Sequence, residues 1–141
     1  MDASQYKDYI LTLLFMKYVT DKYLGQRYAD IQVFDKAHDP EPDPEKRTGC
    51  SFNDFVALKS KKNVGEGIDK IIARLTDANP NLKGVIDIAH FNDEAKLGKG
   101  QEMVDKLTDL ISIFQRPELD FSKNRTEDDD IIWRRLRILN A

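Results

Sequence analysis

Apolar positions recur every three or four residues through most of this chain, the spacing that gathers them on one side of an α-helix. Tyr6, Tyr9, Ile10, Leu13, Leu14 and Tyr18 open the pattern. From Tyr9 to Met16 the apolar residues are dense enough to cover most of a helix circumference, and a helix apolar nearly all round is usually buried on several sides. The spacing predicts a central helix over residues 4–24, capped by Asp2 or Ser4 and stopped at Gly25. Phe52, Phe55, Val56 and Leu58 predict a short helix capped by Ser51 or Asn53. The clearest stripe is Ile68, Ile71, Ile72 and Leu75, at i, i+3, i+4 and i+7. It follows Asn63-Val64-Gly65-Glu66-Gly67 and ends by Asn79-Pro80, because the residue before proline avoids the α region.

Beyond that point the pattern is less decisive. Leu82, Val85, Ile86 and Ile88 fit a short helix or an extended apolar segment. Gly98-Lys99-Gly100 breaks the chain before Met103, Val104, Leu107, Leu110, Ile111 and Phe114 resume helical spacing, with Pro117 after the end. Glu127, Asp128, Asp129 and Asp130 suit the start of a last helix, where acids complement the dipole. Residues 35–49 carry no apolar period. Their prolines alternate with acids, which predicts a solvent loop of extended, stiff backbone, read as a plain surface insertion ahead of an acidic recognition arm. There is no repeat of solenoid period and no convincing run of strands. The expected fold class is all-α: a bundle of about four to five helices with a Pro/acid-rich loop.

Composition narrows the function classes. A chain of 141 residues holds one domain, or one domain and a tail, and can bury roughly two-thirds of its unfolded surface. Charged residues make up 33%, above the usual share of about 25%, while seven Phe, five Tyr and one Trp help supply a core, so wholesale disorder is excluded. Cys50 is the only cysteine, which excludes a disulfide scaffold and fits a reducing, cytoplasmic setting. The longest apolar run, Tyr9 to Met16, contains Thr12 and is far shorter than the ~20 residues of a membrane helix. The opening Met-Asp-Ala-Ser has no basic region of the kind that starts a signal peptide. A net charge of −3 argues against a stand-alone nucleic-acid binder, whose affinity rests on phosphate neutralisation.

Little chemistry is set out in motifs. His38 and His90 are the only histidines, no zinc spacing exists, and no nucleophile, base and oxyanion donor occur as a set, so no catalytic, cofactor-binding or metal residue is assigned. His90, between Ala89 and Phe91, reads as a partly buried, hydrogen-bonded histidine ahead of a catalytic base. The acids at 127–130 read as a solvated helix start ahead of a cation site. Gly65-Glu66-Gly67 lacks the preceding strand and third glycine of a dinucleotide loop. Lys59, Lys61 and Lys62 form a basic cluster before a helix start, where backbone amides can add to a phosphate site; the competing reading is a solvated lysine-rich loop.

Taken as ordered segments, the chain resembles the methylation subunit of type I restriction–modification systems. MDASQYKDYILTLLFMKYVTDK at 1–22 is similar to that family's M-D-A-S-E-Y-K-[DE]-Y stretch with its apolar run and K-Y-[IV]-S-D. FVALK at 55–59 and GIDKII at 67–72 resemble its next helices. GVIDI at 84–88, FND at 91–93, KLGKG at 96–100, EMVD at 102–105 and LDF at 119–121 resemble one subgroup. The resemblance covers residues 1 to about 132. It implies a helical domain ahead of a Rossmann-like catalytic domain, in a subunit that methylates adenine N6 in DNA with S-adenosylmethionine. It implies a specificity subunit and a restriction subunit as partners, and a role for this domain in embracing DNA and packing the assembly. Lys59, Lys61 and Lys62 are then the candidates for phosphate contacts.

The sequence departs from the family in two ways. The family normally carries residues before the M-D-A-S stretch, so the first helix of the bundle is expected to be missing, leaving apolar helix surface open to self-association. The cofactor-loop glycines and the N-P-P-[FY] motif that holds a flipped adenine are absent, and Asn79-Pro80-Asn81-Leu82 is not that motif. The chain alone is therefore expected to bind no S-adenosylmethionine and to be inactive. Where the subgroup continues Gly-Asp-Ala-Tyr-Glu-Tyr-Leu-Met, this chain reads WRRLRILNA at 133–141. One nucleotide string encodes both, one base apart. The expected organisation is a helical domain at 1–132 and a frameshifted, unselected tail at 133–141; the alternative is a natural tail whose Arg134, Arg135 and Arg137 form a basic helix end. The alternative function is a stand-alone, non-enzymatic helical interaction module.

Overall fold

A computed structural model describes residues 3–123 of the protein. The expectations for Asp2, for a last helix at 127–130 and for the tail at 133–141 lie outside the described residues. Within them the chain forms five α-helices and short 3-10 turns, with no strand. The all-α prediction holds.

Helix α1, Ala3–Tyr23, is the hub. Tyr9, Leu13, Phe15, Met16, Tyr18 and Val19 are all buried, and so are Thr12 and Thr20. Its neighbours are α2 (Phe52–Val56), α5 (Gln101–Phe114) and the 3-10 turn Phe121–Lys123. The two buried threonines are satisfied. Thr12 Oγ1 donates to the Ile86 carbonyl at 3.4 Å, and Thr20 Oγ1 accepts the first helical N–H of α2, from Phe52, at 2.8 Å. Gly25 ends α1 at φ +81°, a conformation that costs other residues a Cβ clash. Ser4 lies inside this helix and is not its cap.

Helix α3, Val64–Ala78, lays Ile68, Ile71, Ile72 and Leu75 into the core and packs on α2 and α5. It closes as the sequence predicts. Asn79 is buried at its end, where Nδ2 donates to the Leu75 and Gln32 carbonyls and Oδ1 accepts the Gln32 N–H at 2.8 Å. That asparagine is a structural tie, which accounts for it without a base pocket. Residues 80–93 are neither a regular helix nor a strand. A 3-10 turn, Pro80–Leu82, precedes irregular backbone in which Leu82 and Ile86 are buried and Ile88 is exposed. Helix α4, Glu94–Leu97, packs on α5, and Gly98 and Gly100, both at positive φ, make the break between them. Of the α5 stripe, Met103, Val104, Leu107, Ile111 and Phe114 are buried.

The loop at 35–49 corrects one expectation. It is folded on itself, with 3-10 turns at Lys36–His38 and Pro44–Lys46. Asp39 accepts backbone N–H groups from Thr48 at 2.8 Å and Glu41 at 2.9 Å, and these bonds hold its carboxyl below the usual range. Aspartates that capture nearby amides substitute for the missing apolar contacts. The loop is anchored to α2 through Asp54, whose Oδ1 accepts from Lys36 N and whose Oδ2 accepts from Ser51 N and Oγ. Gly49 is obligatory there, because a Cβ would sit 2.1 Å from Asp54 Oδ2.

Candidate nucleic-acid interface

The Lys59, Lys61 and Lys62 cluster sits on the turn between α2 and α3. Ser60 adopts φ +67°, and its N–H donates to Thr108 Oγ1 on α5 at 2.8 Å. This reversal separates the three lysines. Lys59 Nζ donates to Gln115 Oε1 at 2.6 Å, at the end of α5. Lys62 is exposed. Lys61 lines a cleft of about 320 Å³. The same cleft brings in Lys36 and Arg47 from the loop and Lys70 and Arg74 from α3.

The helix start at α3 is not the phosphate cradle that its glycines allow. Val64 and Gly65 are buried, and a Cβ on Gly65 would lie 2.3 Å from the Phe91 carbonyl oxygen. Gly67 faces Leu58, whose Cδ1 would lie 2.6 Å from an added Cβ. Both glycines allow close packing. Beside them the segment at 88–93 is pinned from two sides. Asp69 accepts the N–H groups of Phe91 at 2.9 Å and Asn92 at 3.2 Å, while Tyr9 donates its hydroxyl to the His90 carbonyl at 2.9 Å and meets the Phe91 ring edge-on. Burial raises the Asp69 carboxyl against those two N–H bonds, and burial pushes the Tyr9 phenol up to about 12. His90 itself is exposed, so the expectation of a partly buried side chain is wrong; its backbone carbonyl accepts from Tyr9.

Sequence reasoning missed four cations of the cleft. Lys70 and Arg74 were visible in principle, since Gly67, Lys70, Ile71 and Arg74 form a second i, i+3, i+4, i+7 stripe beside the core stripe. Lys36 and Arg47 carry no such signal, because their approach depends on the fold of the loop. Two carboxylates share the cleft, Glu45 and the amide-bound Asp54. Among the described residues no cluster of His, Cys, Asp and Glu could hold a metal ion, and no helix is long and apolar enough to cross a membrane.

Residues 1–114, from the start of the chain to the last residue of α5, match the HsdM N-terminal domain. The chain belongs to that family. It is thus related to the N-terminal domain of the methylation subunit of type I restriction–modification systems. No curated protein and no solved structure matches it. The HsdM match takes in all five α-helices of the described residues, the whole of the basic cleft and the loop that closes it. The similar segment at 119–121 lies beyond it.

Proposed function

We propose that this HsdM N-terminal domain serves a subunit that transfers a methyl group from S-adenosylmethionine to adenine N6 in DNA, and that its own part is to help embrace DNA and to pack against the other subunits. Methyl transfer then belongs to residues outside this sequence, since the N-P-P-[FY] motif that would hold an extruded adenine is not among its 141 residues. The partners are a specificity subunit, a restriction subunit and DNA, in the cytoplasm. Residues 133–141 are read as a frameshifted tail.

The observation that carries this reading is the family match across all five helices, joined to a basic surface on an otherwise acidic chain. Lys59, Lys61 and Lys62 are the candidates for phosphate contact that the sequence supplies, and of the three only Lys61 lines the basic cleft. The test is anisotropy of a labelled duplex with the full chain at low salt, paired with calorimetry against S-adenosylmethionine. Weak, sequence-independent duplex binding that fades with salt, and no heat from S-adenosylmethionine, are expected. No duplex binding even at low salt would contradict the DNA role. Saturable S-adenosylmethionine binding would contradict the placing of methyl transfer elsewhere.

A second reading has its own observation. A cleft of about 350 Å³ between Leu24, Gly25, Val33, Phe34 and His38 is largely apolar, and Phe34 is 44% exposed beside it. On this reading the domain is a free-standing interaction module. Ile10 on α1 is 41% exposed and adds an apolar side chain that a second copy of the chain would cover on this reading. Light scattering that returned a dimer at micromolar concentration would favour it; a monomer would count against it.

A further inference from the structure

The cleft between the outer stripe of α3 and the loop at 35–49 has the composition of a phosphate site. Five cations line it against two carboxylates, on a chain whose overall charge is −3. Their availability differs. Lys70 pairs with Glu66 at 3.1 Å, and Arg47 Nε donates to the Glu41 carbonyl at 2.8 Å, which steadies the guanidinium near Asp39, whose carboxyl its charge helps to lower. Among the described residues, Lys36, Lys61 and Arg74 make no ion pair. Asp54 has both oxygens engaged by Lys36 N, Ser51 N and Ser51 Oγ, so its charge is directed into the loop anchor. Three unpaired cations and a steadied arginine on one concave face repel one another until an anion arrives.

The lining also narrows the kind of contact. It contains no aromatic ring, no Asn and no Gln. Base stacking, which holds single strands, has no platform here, and the bidentate amides that read adenine are missing. What remains is Arg and Lys, the residues that bind phosphate oxygens without reading sequence. We infer that this cleft holds the sugar–phosphate backbone of duplex DNA, through Arg47, Lys61 and Arg74 with Lys36 at its edge. The inference rests on the proposed DNA role and replaces the contiguous lysine cluster by a site assembled from three distant segments. Lys59, tied to Gln115, is outside it.

The experiment follows duplex affinity of the full chain against salt for the wild type, the Lys61→Gln/Arg74→Gln double variant, Lys59→Gln, and Lys61→Gln with Arg74→Lys. Each cation withdrawn from a phosphate flattens the slope of log affinity on log salt by about one, so the affinity ratio between about 50 and 200 mM salt shrinks roughly 3.5-fold per charge. The double variant is expected to flatten the slope by about two, equally for unrelated sequences. Lys59→Gln is expected to leave it unchanged, and Arg74→Lys to restore one unit. Circular dichroism establishes that the variants fold. Duplex binding by the wild type with an unchanged slope in the folded double variant would overturn the cleft and leave the DNA role standing. No wild-type binding would overturn both. Preference for a polyglutamate peptide over the duplex, lost in the double variant, would assign the cleft to an acidic protein segment and overturn the DNA assignment.

Discussion

Helices α1 and α3 are both rich in apolar residues, yet they do opposite jobs. On α1 the apolar positions run most of the way round, and the helix is enclosed by α2, α5 and the 3-10 turn after α5. Its few polar core atoms serve neighbours, as when Thr20 caps α2. On α3 the apolar residues keep to one stripe, which leaves Lys70 and Arg74 on an outer face that meets the loop. A helix buried on most of its sides has little face to spare for a ligand. A helix with a single buried stripe holds its fold with one side and presents charge with the other.

The comparison breaks if α1 tolerates truncation. Phe15→Ala deletes a fully buried ring and is expected to cost about 3–5 kcal/mol in chemical denaturation. A loss of only a few tenths would show that α1 is not the hub. Next in size is the seam between α3 and the segment at 88–93. Gly65→Ala places a methyl 2.3 Å from a backbone oxygen that cannot swing away, for an expected loss of about 1–3 kcal/mol. Gly67→Ala meets only the flexible end of Leu58 and is expected to cost less. Equal losses at the two glycines would mean that the seam is soft.

Asn79→Ala removes the partner of the Gln32 N–H and carbonyl and is expected to cost about 1–3 kcal/mol, read from the shift in denaturation midpoint. Alkaline pH provides another probe of the same core. Burial pushes the Cys50 thiol up to about 11 and the Tyr9 phenol up to about 12. Unfolding lets both groups ionise at their ordinary values of 9.0 and 10.0, so the unfolded chain binds fewer protons in that range. Stability from these two groups is full below pH 9 and is lost as pH rises through the folded values. Melting temperature should therefore fall from about pH 9 upward, and Tyr9→Phe should reduce the slope above pH 10. A flat profile to pH 11 would contradict the burial of both. Smallest of all, Lys61→Gln on the charged side should change stability by no more than about 0.5 kcal/mol. A larger loss would mean that the cleft is part of the framework.

Much of the fold is legible from residue order because local physics decides it. The stripe at 68, 71, 72 and 75, the stop at Asn79-Pro80 and the break at 98–100 all follow from helix period and backbone preference. The loop escapes such reading because its order comes from aspartates bonding to amides a few residues on, as Asp39 does to Thr48, which leaves no periodic trace. The cleft is only partly legible for a related reason. Lys61 lies in a contiguous basic run and Lys70 and Arg74 share a helical stripe, whereas Lys36 and Arg47 converge on them only once the loop is anchored at Asp54. His90 misleads because its neighbours Ala89 and Phe91 are buried while its own ring is not.

The proposed division of labour, with DNA contact in this domain and methyl transfer in residues outside this sequence, is tested by the gene itself. The direct measurement is the nucleotide sequence across codon 133 and several hundred bases beyond. The frame shifted by one base is expected to read Gly-Asp-Ala-Tyr-Glu-Tyr and, further on, an N-P-P-[FY] motif. A reading frame that ends without any such remnant would contradict this, leaving a free-standing HsdM N-terminal domain and moving the interaction-module reading ahead.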